Sequence, residues 1–348
     1  MQALTVHPLQ AKSAEVSSVP DPNPGEGSIL VRGRLLGVCG TDIDIVGGNY
    51  GWSPEGTDRL ILGHESFGEV LEAPTDSGFS PGDLVVGIVR RPDPVPCSAC
   101  AVNAWDFCDN GQYTERGIKS RHGYGSQHWR VEPEFAIRVD ASLGDAAVLV
   151  EPTSVVAKAW EQTEILERRT PRPARTVLVT GAGPIGLLAA LLGHQRGLDV
   201  HVFDQMTSGT KPELVKQLGA TYHYGTIAQL KVRPDIVIEC TGYGPLVFDL
   251  PNIVAPDGII CLTGISSGSH SLSQDPSAIN KELVLQNTVV FGSVNASRDN
   301  YLQAASALAK ADIHWLSKLI SRRVPLSRAL DALDRQADDV KVVIDLTT

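Results

Sequence analysis

The chain has 348 residues, with 30 Lys and Arg against 40 Asp and Glu, which gives a formal net charge of −10. This length predicts about two domains, and the acidic balance excludes nucleic acid and anionic membrane surfaces as expected partners, because both favour a basic face. The N-terminal residues contain no apolar stretch after a basic start. We therefore expect no secretory signal and a cytoplasmic protein.

Residues 1 to about 150 are expected to form a β-rich unit. Short apolar runs over residues 29–36, 66–72 and 84–89 are separated by turns rich in Pro and Gly. Such runs are typical of strands joined by irregular loops.

The pattern changes at about Thr153, where an amphipathic helix leads into a polar linker over residues 167–175. Beyond the linker, strand-like and helix-like segments alternate, which predicts a parallel sheet with crossover helices. The apolar stretch 176–193 has the length of a membrane span, but the Gly and Pro residues in its first half favour a strand, a turn and a helix instead. The tail predicts two helices, over residues 301–310 and 326–334, and a final strand over 340–346.

A glycine-rich turn follows the first strand of the alternating region. Its sequence is Gly181-Ala-Gly183-Pro184-Ile185-Gly186, between an apolar strand and a helix. Three glycines in this context allow a tight turn, the approach of a pyrophosphate and close packing of helix on strand. The turn therefore predicts a dinucleotide site.

Asp204 ends the next strand, about 20 residues after the turn, where an acidic side chain binds the ribose hydroxyls of NAD. The following residues include no Arg that would neutralise a 2′-phosphate. The sequence therefore predicts a preference for NAD over NADP, with Lys211 as the nearest cation.

The β-rich half contains Cys39, His64 and Glu151. A thiolate, an imidazole and a carboxylate suit Zn²⁺ with an open fourth position, which is the arrangement of a catalytic zinc site. Singly, each residue also has a structural explanation: a buried thiol, a core histidine or a carboxylate at the start of a helix.

A second group of cysteines, Cys97, Cys100 and Cys108, lies in a Pro-rich segment. In a cytoplasmic setting the crowding favours a metal over disulfides, and a structural zinc needs a fourth ligand. Asp93 is the first candidate for this ligand and Asp106 the second. The alternative is a loop of free thiols without metal.

Together these motifs resemble the zinc-dependent medium-chain alcohol dehydrogenase superfamily, and more narrowly its glucose (aldose) dehydrogenase branch, over essentially the whole chain. The superfamily order is Cys39-Gly-Thr41-Asp42, then Gly63-His64-Glu65, the Cys segment, Glu151-Pro152 and the glycine-rich turn. The branch-level motifs are residues 60–65, Arg90-Arg91, residues 107–111, residues 115–118, residues 122–124 and residues 292–295.

The resemblance implies a Rossmann domain with a doubly wound parallel sheet, inserted in a β-rich GroES-like catalytic domain. The implied boundaries are residues 1–153 plus 297–348 for the catalytic domain and 154–296 for the Rossmann domain. A cleft between the domains would hold nicotinamide, zinc and substrate.

The resemblance also implies roles for individual residues. Zinc would be bound by Cys39, His64 and Glu151, with Glu65 as an additional or exchanging ligand, and Glu151 would also lie at the substrate. Thr41 would hold the reacting hydroxyl and Glu115 would bind sugar hydroxyls. Asn295 would lie near nicotinamide and substrate, and the rest of the dinucleotide cleft would be lined by Thr241, Gly242, Thr263, Gly264 and Val294.

Three departures from the family pattern stand out in the sequence. The first Cys of the zinc lobe is missing, with Asp93 in its neighbourhood. The His that many relatives have five residues after the zinc Cys is Asp44 here, so a proton relay to solvent would use a carboxylate. Basic residues that accompany NADP use are replaced by Asp204-Gln205-Met206.

We therefore expect an oxidoreductase that transfers hydride from C1 of an aldose to NAD(P), giving the aldonolactone. The expected cofactors are one catalytic and one structural Zn²⁺, with NAD preferred, and the subunit is expected in a dimer or tetramer. A dehydrogenase of polyols, cyclitols or secondary alcohols would carry the same motifs. A non-catalytic relative without metal is the alternative from another class.

Overall fold

The computed structural model describes residues 1–266 and 275–348, and the chain divides into two compact units. One unit is Met1–Glu151 with Ser297–Thr348, and the other is Pro152–Ala296. The strands within the described residues are β1 (Gln2–Val6), β2 (Glu15–Ser18), β3 (Ile29–Gly37), β4 (Leu60–Ile61), β5 (Glu65–Glu72), β6 (Leu84–Gly87), β7 (Arg90–Arg91), β8 (Thr114–Arg116), β9 (Ser120–Arg121), β10 (His128–Val131), β11 (Ala136–Arg138), β12 (Thr176–Thr180), β13 (Asp199–Phe203), β14 (Thr221–His223), β15 (Ile236–Glu239), β16 (Ile259–Leu262), β17 (Val289–Gly292), β18 (Ile320–Pro325) and β19 (Lys341–Asp345).

The α-helices of the same ranges are fewer. They are α1 (Gly40–Val46), α2 (Val150–Glu167), α3 (Pro184–Gln195), α4 (Thr210–Gln217), α5 (Gly244–Asp249), α6 (Pro276–Leu285), α7 (Arg298–Ala309), α8 (Ile313–Leu319) and α9 (Ala329–Leu333). Short 3₁₀ turns fill several connections, the longest over Ala141–Leu149.

The first unit is β-rich, as the sequence predicts. Its main sheet has the order β11-β6-β5-β3-β19-β18, with β10 also paired to β3, and two small sheets are formed by β2-β1-β4 and β7-β8-β9. The C-terminal strand β19 pairs antiparallel with β3 and parallel with β18. Residues from both ends of the chain therefore build one sheet around buried side chains such as Phe67 and Trp129.

The second unit has a six-stranded sheet in the order β14-β13-β12-β15-β16-β17, in which every pairing is parallel. The strand order reverses at β12, which is the doubly wound arrangement in which ligands bind outside the carboxyl ends of the strands. Apolar side chains such as Leu178, Val237 and Ile260 form a core on one face. The predicted fold class is thus confirmed.

The apolar stretch at residues 176–193 forms strand β12, a turn and helix α3, as the Gly and Pro positions predict. Within the described residues, no helix has both the length and the apolar character to cross a membrane.

In the first unit, the backbone at Gly117 and Gly123 packs closely against Gly63, the residue before His64. A Cβ atom on Gly117 would lie 2.5 Å from the carbonyl oxygen of Gly63, and one on Gly123 would lie 2.4 Å from it. The backbone N–H of Tyr124 donates to the same oxygen at 2.9 Å. Only residues without a side chain allow this approach, which fixes the Glu115 strand beside the His64 segment.

Candidate active site

Three potential metal ligands converge in the first unit. Cys39 caps the N-terminus of α1, Glu65 begins β5, and His64 directly precedes that strand. One donor atom from each residue lies within 4.8 Å of the other two. A thiolate, an imidazole and a carboxylate at this spacing form a donor set suited to Zn²⁺.

Asp42 orients this group although the sequence analysis assigned it no role. Its Oδ2 accepts the backbone N–H of Cys39 at 2.9 Å, and its Oδ1 lies 3.5 Å from Nδ1 of His64. Burial lowers the pKa of His64, but the Asp42 carboxylate and the Cys39 thiol beside it raise that pKa well above its usual value. The negative surroundings favour a cation at this position, and Asp42 on the Nδ1 side leaves the other ring nitrogen for the metal.

Glu65 is also paired with Lys341 from strand β19. The lysine Nζ donates to both carboxylate oxygens, at 2.6 and 2.7 Å, and to the carbonyl oxygen of Val38 at 3.1 Å. Both charged side chains are about 2% exposed. Burial acts against the charge on Lys341, but Glu65 raises the pKa of the lysine above its usual value. Removing one partner of such a pair costs about 3–5 kcal/mol of stability because the other charge stays buried.

Glu151 lies in the first turn of α2 and is 8% exposed. Burial raises the pKa of its carboxyl to about 7, and His64, Glu65 and Lys341 are among the groups whose charges act on it. The structure therefore brings Glu151 near the cluster, but the described donor set within 4.8 Å contains Glu65 and not Glu151.

The two predicted relay residues lie on helix α1. The Cys39 Sγ is 3.9 Å from the hydroxyl of Thr41, which puts this hydroxyl at the candidate metal site. Asp44 is exposed on the same helix.

Glu115 is 6% exposed and is therefore not a solvated loop carboxylate. Its Oε1 accepts hydrogen bonds from Nε of Arg90 at 3.0 Å and forms an ion pair with that guanidinium at 2.9 Å. The guanidinium lies 3.7 Å from the ring centre of Tyr113. Burial raises the pKa of Tyr50, and Glu115 and Tyr113 beside it add to this rise.

Trp52 extends this group to the surface. Its ring meets Tyr50 edge-on at 5.0 Å between ring centres, and both rings are more than a third exposed. The sequence analysis missed Tyr50 and Trp52 because aromatic side chains in a loop carry no periodic signal.

The cysteine segment brings its three sulfur atoms together. One atom each from Cys97, Cys100 and Cys108 lies within 4.8 Å of the others, and the Cys97 and Cys108 sulfurs are 3.9 Å apart. A hydrogen bond from the backbone N–H of Cys100 helps to lower the pKa of Cys97, and burial raises that of Cys100 to about 11. Thiolates that accept backbone N–H groups suit a zinc site.

Asp93, the predicted fourth ligand, is not among the donor atoms of the described cysteine group. Its carboxylate accepts the backbone N–H of Val95 at 2.9 Å and a short hydrogen bond from the amide of Asn110. Asp106 is buried in the same segment. The structure thus brings the three thiols together, whereas the Asp93 carboxylate binds Val95 and Asn110 and not the sulfur group.

The glycine-rich turn in the second unit has the geometry that its sequence predicts. Gly181 has φ +92, and a Cβ atom on Gly186 would lie 1.8 Å from the Gly181 carbonyl oxygen. A Cβ atom on Gly183 would meet no atom within 4 Å. Helix α3 begins at Pro184 and Ile185 directly after this open position. The turn therefore leaves space at a helix N-terminus for an anionic group.

Asp204 links this turn to the end of β13. Its Oδ2 accepts the backbone N–H of Ala182 at 2.7 Å, and its Oδ1 accepts that of Met206 at 3.0 Å. The Nζ of Lys211 lies 3.9 Å from Oδ2. The carboxylate is thus at the carboxyl edge of the sheet, with a cation beside it.

The other predicted cofactor residues also follow strands of this sheet. Thr241 and Gly242 follow β15, and Thr263 and Gly264 follow β16. Val294 and Asn295 follow β17, where the carbonyl oxygen of Val294 accepts a hydrogen bond at 3.0 Å from Nζ of the buried Lys158. Carboxyl ends of parallel strands share one edge, so these residues share the edge of the turn.

Comparison with known proteins agrees with this architecture. The family model "Glucose dehydrogenase C-terminus" matches residues 144–346, and "Alcohol dehydrogenase GroES-like domain" matches residues 25–141. A glucose 1-dehydrogenase of Methanocella arvoryzae is 39% identical over 99% of both chains, and one of Thermoproteus tenax is 38% identical over 100% of both.

Among solved structures, glucose dehydrogenase of Haloferax mediterranei in complex with NADP, Zn and gluconolactone aligns over 100% of both chains, with a TM-score of 0.91 and 29% identity. The family match covers more than half of this chain, and the curated relatives match it over nearly its full length. The chain therefore belongs to the glucose dehydrogenase branch of the zinc-dependent medium-chain dehydrogenases, a group of NAD(P)-dependent oxidoreductases.

Proposed function

We propose that this protein is an aldose 1-dehydrogenase, which oxidises a glucose-like sugar at C1 to the aldonolactone and reduces NAD(P)⁺ with release of a proton. The observation that carries the proposal is the converging group Cys39, His64 and Glu65 in a chain that matches glucose 1-dehydrogenases along its length. The pairing of Glu115 with Arg90, beside exposed aromatic rings, supports a polyhydroxylated substrate, because sugars bind through hydroxyl hydrogen bonds and apolar ring faces.

We propose Cys39, His64 and Glu151 as the ligands of the catalytic zinc, with Glu65 as an additional or exchanging ligand. When bound, zinc supplies a Lewis acid that lowers the pKa of the substrate hydroxyl. Asp42 orients the His64 ring. Lys341 pairs with Glu65 while that carboxylate is not bound to the metal.

In this proposal the hydroxyl of Thr41 would accept the proton of the reacting hydroxyl and pass its own proton onward. The exposed Asp44 on the same helix is the group through which it reaches solvent. In the second unit, the turn at Gly181, Gly183 and Gly186 binds the pyrophosphate. Asp204 binds the adenosine ribose, and Asn295 orients the nicotinamide.

The His64→Ala variant tests the zinc assignment and the activity together. It should lose zinc and nearly all sugar oxidation, because the site loses a neutral nitrogen ligand, while its circular dichroism spectrum stays that of the wild type. Metal analysis and a scan of aldoses, polyols and cyclitols for NAD(P) reduction provide the measurements. Replacement of the exposed His314 of helix α8 by Ala is the matched control. A zinc-free variant with full activity, or a wild type active only on polyols, would contradict the proposal.

We also propose a preference for NAD over NADP. Asp204 would repel a 2′-phosphate, although Lys211 beside it reduces that repulsion. The Asp204→Ala variant should raise kcat/KM for NADP relative to NAD by about tenfold, the effect of roughly 1.4 kcal/mol. Lys211→Ala should shift the ratio the other way. A wild type with equal or higher kcat/KM for NADP rules out the preference.

Glu115 is proposed to bind sugar hydroxyls. The Glu115→Gln variant should raise KM for the sugar about tenfold, since hydrogen bonds to a charged group contribute about 1.5–3 kcal/mol, and its zinc content should not change. Glu132→Gln removes another carboxylate that is paired with arginines, Arg91 and Arg121, and serves as the control for lost ion pairing. Equal KM values for Glu115→Gln and the wild type would exclude a substrate role.

We propose that the group Cys97, Cys100 and Cys108 binds a second zinc, with Asp93 turning from Asn110 to supply the fourth ligand. Metal analysis should then give two zinc ions per subunit. Cys100→Ala and Asp93→Ala should each give one, with the catalytic zinc retained, whereas the exposed Asp109→Ala should keep two. One zinc per subunit in wild-type protein never exposed to a chelator would show that the group is empty.

The subunit is proposed to form a dimer or tetramer. Strand β17 lies at the edge of the six-stranded sheet, and Val290 on it is 41% exposed. Val284 and Leu285 at the end of α6 are more than 60% exposed. Apolar edge strands favour pairing with another chain. Light scattering should give the molar mass of a dimer or tetramer, and the Val290→Lys variant should have a lower molar mass. A monomeric wild type would contradict this proposal.

A further inference from the structure

A fully buried carboxylate joins the loops at the carboxyl edge of the second unit. Glu239 is the last residue of β15 and is 0% exposed. Its Oε1 accepts the backbone N–H groups of Thr241 and Gly242, at 2.6 and 3.1 Å, and a short hydrogen bond from the Thr241 hydroxyl. The hydroxyl of Thr180, the residue before the glycine-rich turn, lies 3.4 Å from the same oxygen. One side chain therefore contacts the ends of β12 and β15.

The backbone of Glu239 binds the third loop. Its carbonyl oxygen accepts the hydroxyl and the backbone N–H of Thr263, at 2.7 and 2.8 Å, and the backbone N–H of Gly264 at 3.1 Å. A Cβ atom on Gly264 would lie 2.1 Å from the nitrogen of Gly242 and 2.8 Å from Oε2 of Glu239. The loops after β15 and β16 thus approach closely around Glu239 and leave no room for a side chain at Gly264.

The donors around this side chain favour a carboxylate over an amide. An ionised carboxylate only accepts hydrogen bonds, whereas the amide of glutamine offers one accepting oxygen and an NH₂ group that donates. Two N–H and two O–H donors act on Oε1, and the N–H of Gly242 also lies 3.3 Å from Oε2. An amide with its oxygen at the Oε1 position would therefore turn its NH₂ group toward the N–H of Gly242, and the opposite orientation would set that group against all four donors. Hydrogen bonds to a charged group also offset part of the cost of burying it.

We propose that Glu239 is a positioning residue for the dinucleotide. It holds the loops 180–183, 241–242 and 263–264 in the relative positions that bind the cofactor, without itself touching the cofactor. In a doubly wound sheet the dinucleotide lies across these strand ends. The inference rests on the proposed placement of NAD(P) at the glycine-rich turn.

The Glu239→Gln variant tests this role. We expect Kd for NAD⁺ and NADP⁺, measured by calorimetry, to rise about tenfold or more, because donors left unpaired inside a protein cost about 1–3 kcal/mol. KM for the sugar at saturating cofactor and the zinc content should stay within about twofold of the wild type. A merely structural role would lower the melting temperature and the active fraction but leave Kd of the folded protein unchanged, and that result would overturn the proposal.

Further variants separate the possible failures. Glu282→Gln changes a partly buried carboxylate on α6 of the same unit and should leave Kd unchanged. If Glu239→Gln does not fold, Thr180→Val decides: it removes one donor to Glu239, and we expect Kd to rise severalfold, whereas an unchanged Kd overturns the proposal.

Gly183→Val tests the placement of the cofactor itself, since its side chain would fill the space at the turn. If Gly183→Val leaves Kd unchanged, the proposed cofactor site is wrong. If Gly183→Val weakens binding and Glu239→Gln does not, only the role of Glu239 is wrong.

Discussion

The first unit depends on the return of strand β19 to its main sheet, beside the edge strand β18. β19 inserts between β3 and β18, and its Lys341 neutralises Glu65 at the centre of the candidate zinc site. Gly37 of β3 makes room for this pair, since a Cβ atom there would lie 2.0 Å from Glu65 Oε2. The C-terminal segment is thus part of both the sheet and the site, and the second unit occupies a stretch of chain between two parts of one sheet.

Both units have carboxylates at their sites that accept hydrogen bonds from backbone N–H groups. Asp42 accepts the N–H of Cys39 and faces His64, while Asp204 and Glu239 accept backbone N–H groups of loops at the edge of the parallel sheet. A carboxylate that accepts several hydrogen bonds has one stable orientation, and it fixes the loops that supply those bonds. Rigid loops in turn limit the entropy lost when a ligand binds.

Much of the fold follows from local sequence. Alternation of apolar strands and helices after residue 176 predicts a parallel sheet, and the structure has six parallel strands there. The glycine positions predict local backbone geometry, since Gly181 adopts a positive φ and Gly186 has no room for a side chain. Candidate ligands Cys39 and His64 are likewise predictable, because residue type and order indicate metal chemistry.

The sequence by itself determined the fold class, the glycine-rich turn and the residue types available for zinc, because each depends on neighbours within a few positions. Only the tertiary structure decided which of them meet. Lys341 and Glu65 are 276 positions apart. The apolar residues around Lys341 contain no signal from which its partner could be predicted. The pairing of Glu115 with Arg90 and the inward turn of Glu239 likewise arise from strand register and loop packing. Such contacts depend on which strands pair, and that choice is made by burial of the whole sheet.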